Sequence, residues 1–273
     1  MLILAFETTA KACSAAIHDG KSLLGESYQN SGLTHSQTLM VMAEDLLKAC
    51  GKTAADVTHL AVAAGPGSFT GVRIGVSAAK GFSWGAELPV YGVSTLEAMA
   101  LSLGAYSGHI CACMDARRNQ VYNAIFLAEN GQLTRITEDR AIALADLKSE
   151  LEHIDGPIFL VGDGAALAHR TLSGELGELI LPPEHRQHQR ATGVALAALD
   201  AIERGEDRII FKETMAKLGV PVPASEPCYS VEEAEQIASR MGYPVVLRPA
   251  YTMGGTGGGI VPPTTFTCCE RPW

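Results

Sequence analysis

Residues 65–75 read GPGSFTGVRIG, directly after the apolar run HLAVAA at 59–64. Four glycines and a proline in eleven residues mark a loop that lets backbone come close to something. A phosphate-binding loop of the Gly-x4-Gly-Lys-Ser/Thr type needs its lysine directly after the second glycine. Here Gly65-x5-Gly71 is followed by Val72 and Arg73, so that template fails. Ser68 invites comparison with a nucleophile elbow, but Phe69 and Thr70 separate it from Gly71 and the Gly-x-Ser-x-Gly spacing is not met. A peptidase reading has no further support, because His153, His169, His185 and His188 pair with no serine or cysteine at an interpretable spacing. What remains is steric. Gly71, Gly75, Ala78 and Ala79 recur at three- and four-residue intervals and put small residues on one helical face. Such a face serves either core packing or a close contact with a partner helix.

Working outward, residues 2–6 form a buried strand, followed by a Thr-rich turn, a second strand ending at Asp19-Gly20 and a third over 21–29. Residues 34–50 carry Leu39, Met42, Ala43, Leu46, Leu47 and Cys50 at helical intervals, with a capping-box spacing at Thr34 and Gln37 and a stop at Gly51. A helix to about residue 84, a strand near 89–92 and a helix over 95–103 follow the glycine-rich stretch. Beyond a linker at 104–108, two strands turn at 117–120. A helix (143–152), a strand (157–161), a helix (163–172) and an Ala-rich helix (191–203) complete a second α/β lobe.

The chain has 273 residues, 47% of them hydrophobic, enough for a substantial core. Its formal net charge of −9 argues against autonomous binding to nucleic acid, which needs a basic face. Seven cysteines without a disulfide-like spacing predict reduced thiols, with Cys111 and Cys113 on one face of a strand. The N-terminal MLILAF reaches Glu7 too early for a signal segment or a membrane span, so a cytoplasmic protein without membrane association is expected.

The segments ILAFETTAKACSAAI, THSQTLM, GPGSFTGVRIGVSAAKGF, PVYGVSTLEAMA and MDARRNQVY together resemble the TsaB (YeaZ) family over about residues 1–200. That resemblance implies a two-lobed actin/sugar-kinase-like (ASKHA, RNase H-like) α/β fold, with lobes at 1–104 and 105–200. It implies a non-catalytic scaffold in tRNA threonylcarbamoyladenosine formation, pairing with a TsaD-like catalytic subunit and assisted by a TsaE-like ATPase. The tRNA would be reached indirectly through the complex, and a homodimer is an alternative assembly. In the TsaD pattern, the positions of Thr95 and Met99 carry two metal-binding histidines; hydroxyl and thioether are poor substitutes for zinc or iron. No cofactor is therefore expected on this chain, with ATP and a metal on the partner subunits. Glu7, Thr8 and Thr9 fall where ASKHA ATPases place a phosphate loop, but the turn lacks the usual glycine; Glu7 has the plainer reading of a turn cap. The expected partner interface combines Thr34, His35, Leu39, Met42, Leu46, Phe69, Gly71, Arg73, Gly75, Ala78 and Ala79.

Near residue 201 the texture changes. EDRIIFKETMAKLG and YPVVLRPAYTMGGTGGGIV resemble the start of an ATP-grasp domain of the carbamoyl-phosphate synthase large subunit, over 201–261. The resemblance implies phosphate contacts from Arg208 and Arg248 and close nucleotide approach at Gly254 and Gly255. The later strands that bring acidic Mg2+ ligands do not follow, so an incomplete fragment is expected, with a disordered tail at 262–273 from a truncated or mis-joined reading frame. The alternative functions are an ATP-binding module of that type or an independently active ASKHA ATPase.

Overall fold

The computed structural model describes residues 1–104, 106–174 and 176–206, together with 212, 215–216, 219–221, 224–226, 228, 230–247 and 259–261. The chain divides into two compact units, Met1–Asp200 and Ala201–Trp273.

The first unit is built on two sheets. One holds β1 (Ile3–Glu7), β2 (Cys13–His18), β3 (Leu23–Gln29), β4 (His59–Gly65) and β5 (Val90–Ser94) in the order β3-β2-β1-β4-β5. β1, β2 and β3 are antiparallel neighbours, whereas β4 runs parallel to both β1 and β5. The parallel steps follow from helical crossovers: α1 (His35–Ala49) lies between β3 and β4, and α2 (Phe69–Ala86) between β4 and β5. Every residue of β1 is buried, which is why its sequence is a continuous apolar run rather than an alternating one. Leu39, Ala43, Leu46 and Leu47 of α1 and Ala79 of α2 pack with Leu4, Phe6, Ile17, Leu60 and Val62 on one face of this sheet. Each fully buried leucine there contributes roughly 2 kcal/mol.

α1 begins where the periodicity places it, but the capping box does not form. Thr34 makes no side-chain cap bond; the Gln37 N–H is taken by the Thr34 carbonyl at 3.0 Å.

After α3 (Thr95–Leu103) the second sheet comprises β6 (Gly108–Arg117), β7 (Gln120–Glu129), β8 (Gln132–Arg135), β9 (Arg140–Ala143), β10 (Ile158–Val161) and β11 (Leu179–Ile180). Its order is β11-β10-β6-β7-β8, with β9 also pairing β7. Alternate residues serve opposite faces. Ile110, Ala112, Met114, Ala124 and Phe126 pack on α3. Cys111, Cys113, Val121 and Ile125 pack on α4 (Leu144–Leu151) and α5 (Ala165–Leu172). The two thiols share a face, with Sγ atoms 3.6 Å apart. The neighbouring Cys111 thiol and burial push the Cys113 thiol well above its ordinary value, so it is no nucleophile. α6 (Glu184–Gln187) leads into α7 (Ala191–Glu206). The start of α7 is tied to the first sheet: Ala191 N–H donates to Ser14 Oγ (2.8 Å), Thr192 N–H to Glu26 Oε1 (3.0 Å) and the Arg190 guanidinium to Glu26 Oε2 (2.8 Å).

Among its described residues the second unit holds α8 (Val231–Met241), capped by Ser230 Oγ accepting from Glu233 N–H at 3.2 Å, and an antiparallel pair, β12 (Val245–Leu247) and β13 (Gly259–Val261). Arg208, Arg248, Gly254, Gly255 and the tail 262–273 lie outside the described residues. Among the described residues, no helix is long and apolar enough to cross a membrane.

Candidate functional site: a closed turn and an open groove

Three of the four glycines of 65–75 lie against the turn that joins β1 to β2. A Cβ on Gly67 would sit 2.7 Å from the Thr9 carbonyl oxygen; one on Gly71 would run into the Thr8 carbonyl oxygen, and one on Gly75 into Thr8 Oγ1. The approach is fastened by polar bonds. Thr8 Oγ1 donates to the Gly71 carbonyl (2.8 Å) and Ser68 N–H donates to the Thr9 carbonyl (2.7 Å). Ser68 Oγ is engaged as the helix cap, accepting from Gly71 N–H at 3.3 Å. This corrects the expectation of a helix–helix seam: Gly71 and Gly75 are buried inside the chain, where their small size admits the chain's own turn, and Ala79 is buried in the core. Leu46 is likewise buried in the core, and Met42 packs partly buried against it.

Glu7 closes the turn from within. It is buried, and its Oε1 accepts from both Thr9 N–H and Thr9 Oγ1 at 2.6 Å. Both Thr9 donors are thereby turned onto the protein's own carboxyl group. Burial raises the Glu7 pKa to about 7 despite the Thr9 bonds, with the charge of Asp163 adding to the rise. Desolvation also raises the Asp163 pKa, opposed by the hydrogen bond from Gln189. Gln189 Nε2 donates to Asp163 Oδ1 at 3.1 Å. Glu7 Oε2 and Gln189 Oε1 are buried without a protein partner.

The Glu7 shift has a measurable consequence. The folded chain retains a proton that the unfolded chain loses above its ordinary pKa of 4.5. The stabilisation is complete below that pH and is lost as pH rises through about 7. Glu7→Gln is therefore expected to raise stability at pH 8 by on the order of 1–3 kcal/mol, with the gain vanishing towards pH 4.5. Denaturant titrations at both pH values check it; a gain independent of pH contradicts it.

On the other side of α2 the surface is open. α1 and α2 border a groove of about 470 Å3, lined in part by His35, Leu39, Met40, Phe69, Arg73 and Ala78. Phe69 is 70% exposed, and the Arg73 guanidinium stacks 3.6 Å from its ring centroid. His35 Nε2 lies 2.8 Å from the Ala10 carbonyl; because a carbonyl only accepts, Nε2 carries the proton. The groove wall is thus bonded to the same β1–β2 turn. Thr34 is exposed at the start of α1. Of the residues expected at a partner interface, His35, Leu39, Phe69, Arg73 and Ala78 come together here, joined by Met40 and Ile74, which the sequence reading passed over. Thr95 and Met99 are both buried, Met99 in the core beneath α3.

A family model described as "TsaD: tRNA N6-adenosine threonylcarbamoyltransferase" matches residues 29–235. A second, described as the ATP-binding domain of the carbamoyl-phosphate synthase L chain, matches 207–266. The tRNA threonylcarbamoyladenosine biosynthesis protein TsaB of Bacillus subtilis is 33% identical over 177 residues, covering 65% of this chain and 77% of that protein. The carbamoyl phosphate synthase large chain of Archaeoglobus fulgidus is 56% identical over 64 residues, 23% of this chain but 6% of that protein. The solved structure of YeaZ from Pseudomonas aeruginosa superimposes with a TM-score of 0.62 at 25% identity, over 75% of this chain and 93% of that one. The fold is accordingly the two-lobed ASKHA, RNase H-like arrangement, joined to a carbamoyl-phosphate-synthase-like ATP-grasp segment. With a family model matched over most of its length and the Bacillus relative matched over most of that protein, the chain belongs to the TsaB (YeaZ) branch of the TsaD family.

Proposed function

We propose that this chain is a non-catalytic subunit in tRNA threonylcarbamoyladenosine formation, and that the groove between α1 and α2 docks a TsaD-like catalytic subunit. The observation that carries the reading is Phe69: a large aromatic ring, mostly in solvent, at the rim of a groove between two otherwise well-packed helices. Aromatic anchors with a flanking arginine dominate the energetics of protein interfaces. The closed β1–β2 turn supports the non-catalytic part, because its Thr9 N–H and hydroxyl are spent on Glu7. In the same reading the partner subunits bring ATP and a metal, and a TsaE-like ATPase joins the complex. A second copy of this chain is the competing occupant of the groove.

Titrating the full chain into a TsaD-like subunit tests the proposal. A one-to-one complex with a Kd of about 1 μM or tighter is expected; absence of binding heat and of co-elution removes it. The match at 207–266 favours a second reading, ATP binding by the C-terminal segment. Stoichiometric ATP binding to the full chain, lost in Arg248→Ala, would establish it.

A further inference from the structure

The turn between β6 and β7 is unlike the other hairpin turns. Arg117, Arg118 and Asn119 all have left-handed backbone, with φ of +66°, +53° and +59°. Each residue with a Cβ is sterically disfavoured there. One hairpin later, between β7 and β8, the chain reverses with Asn130-Gly131, the pair such turns ordinarily use. A change of direction alone therefore does not require arginine at the first tip. The tip is nonetheless well fixed: Arg117 N–H donates to Asp115 Oδ1 (2.7 Å) and Leu144 N–H to the Asn119 carbonyl (3.1 Å). Both arginines are exposed, and among the described residues neither guanidinium has a carboxylate partner. The tip thus sets two adjacent positive charges in solvent on a chain of net charge −9.

We propose that the Arg117–Arg118 tip contacts the phosphodiester backbone of tRNA directly. The proposal rests on the tRNA-modification reading above and goes beyond it, because there the RNA is reached only through the partner. Guanidinium forks match phosphate oxygens with two parallel donors. Phosphate rather than a protein carboxylate is favoured by the surroundings. Residues 117–120 are all exposed and polar, with no apolar anchor of the kind Phe69 supplies in the groove. Protein interfaces are organised around such an anchor, and contacts to nucleic-acid backbone are not.

The test uses the full chain in complex with its TsaD-like subunit and an unmodified tRNA transcript, titrated across a range of salt concentrations. Arg117→Gln/Arg118→Gln is expected to weaken tRNA binding by roughly 5- to 50-fold and to reduce the salt slope by about 1–2. Arg170→Gln/Arg186→Gln, which removes the same charge from exposed positions on α5 and α6, is expected to change neither. Arg118→Gly, which relieves the backbone strain, is expected to raise the Tm by about 2–4 °C while weakening tRNA binding. Equal effects from the two glutamine pairs would reduce the tip to a share of net charge and overturn the proposal. A loss of partner association instead of tRNA affinity would assign the tip to a protein contact, and a lower Tm in Arg118→Gly would make its side chain structural; either contradicts it. Failure of the wild-type complex to form removes the underlying reading, and the proposal with it.

Discussion

Phe69→Asp is expected to lower affinity for the TsaD-like subunit by at least 30-fold, about 2–4 kcal/mol, with no loss of stability in the free chain. Phe69 is the first residue of α2 and is 70% exposed, so the ring contributes little to the core. An aspartate at the first turn of a helix meets the positive end of its dipole, which offsets the lost cation–π contact with Arg73. In the complex the same substitution removes the anchor and buries a charge. Thermal unfolding of the free chain and calorimetric titration of the pair separate the two effects. Unchanged affinity with unchanged stability would remove the groove from the interface.

Gly71→Ala is expected to have the opposite character, damaging the fold itself by about 3 kcal/mol or more. At an ordinary helical position this substitution gains about 1 kcal/mol, because glycine loses the most backbone entropy on folding. At Gly71 the new methyl group drives into the Thr8 carbonyl, a backbone atom that cannot swing aside. Either α2 lifts or the β1–β2 turn shifts. Both movements stretch the bonds from Thr8 Oγ1 to Gly71 and from Ser68 to Thr9. Gly81 lies on the same helix with nothing within 4 Å of a built Cβ, so Gly81→Ala is expected to stabilise by about 0.5–1 kcal/mol. Denaturant unfolding of the two variants should therefore give opposite signs; a stabilised Gly71→Ala would contradict the close approach.

These two residues also show what the sequence can and cannot disclose. The spacing of Gly71, Gly75 and Ala79 marks a face of small residues and points to a neighbouring helix, but it leaves open what packs there. What approaches it is a turn 63 residues earlier in the chain, a pairing that periodicity does not encode. The strands were legible where both faces are buried and the apolar run is continuous, as in β1 and β4. β9 and β11, of four and two residues, are too short to carry a period. Thr34 and Gln37 have the letters of a capping box, but the competing bond from Gln37 N–H to the Thr34 carbonyl is closer at hand. Asp163 carries no such signal for the same reason as the Thr8 contact: its relation to Glu7 exists only once distant parts of the chain are assembled.

The most direct measurement of the central claim is threonylcarbamoyl transfer to tRNA, reconstituted from the TsaD-like and TsaE-like subunits with wild-type chain, with Phe69→Asp, or without this chain, alongside this chain alone. Modification is expected only when wild-type chain accompanies its partners, and none from this chain by itself. Modification by the isolated chain, or an undiminished rate with Phe69→Asp, would contradict it.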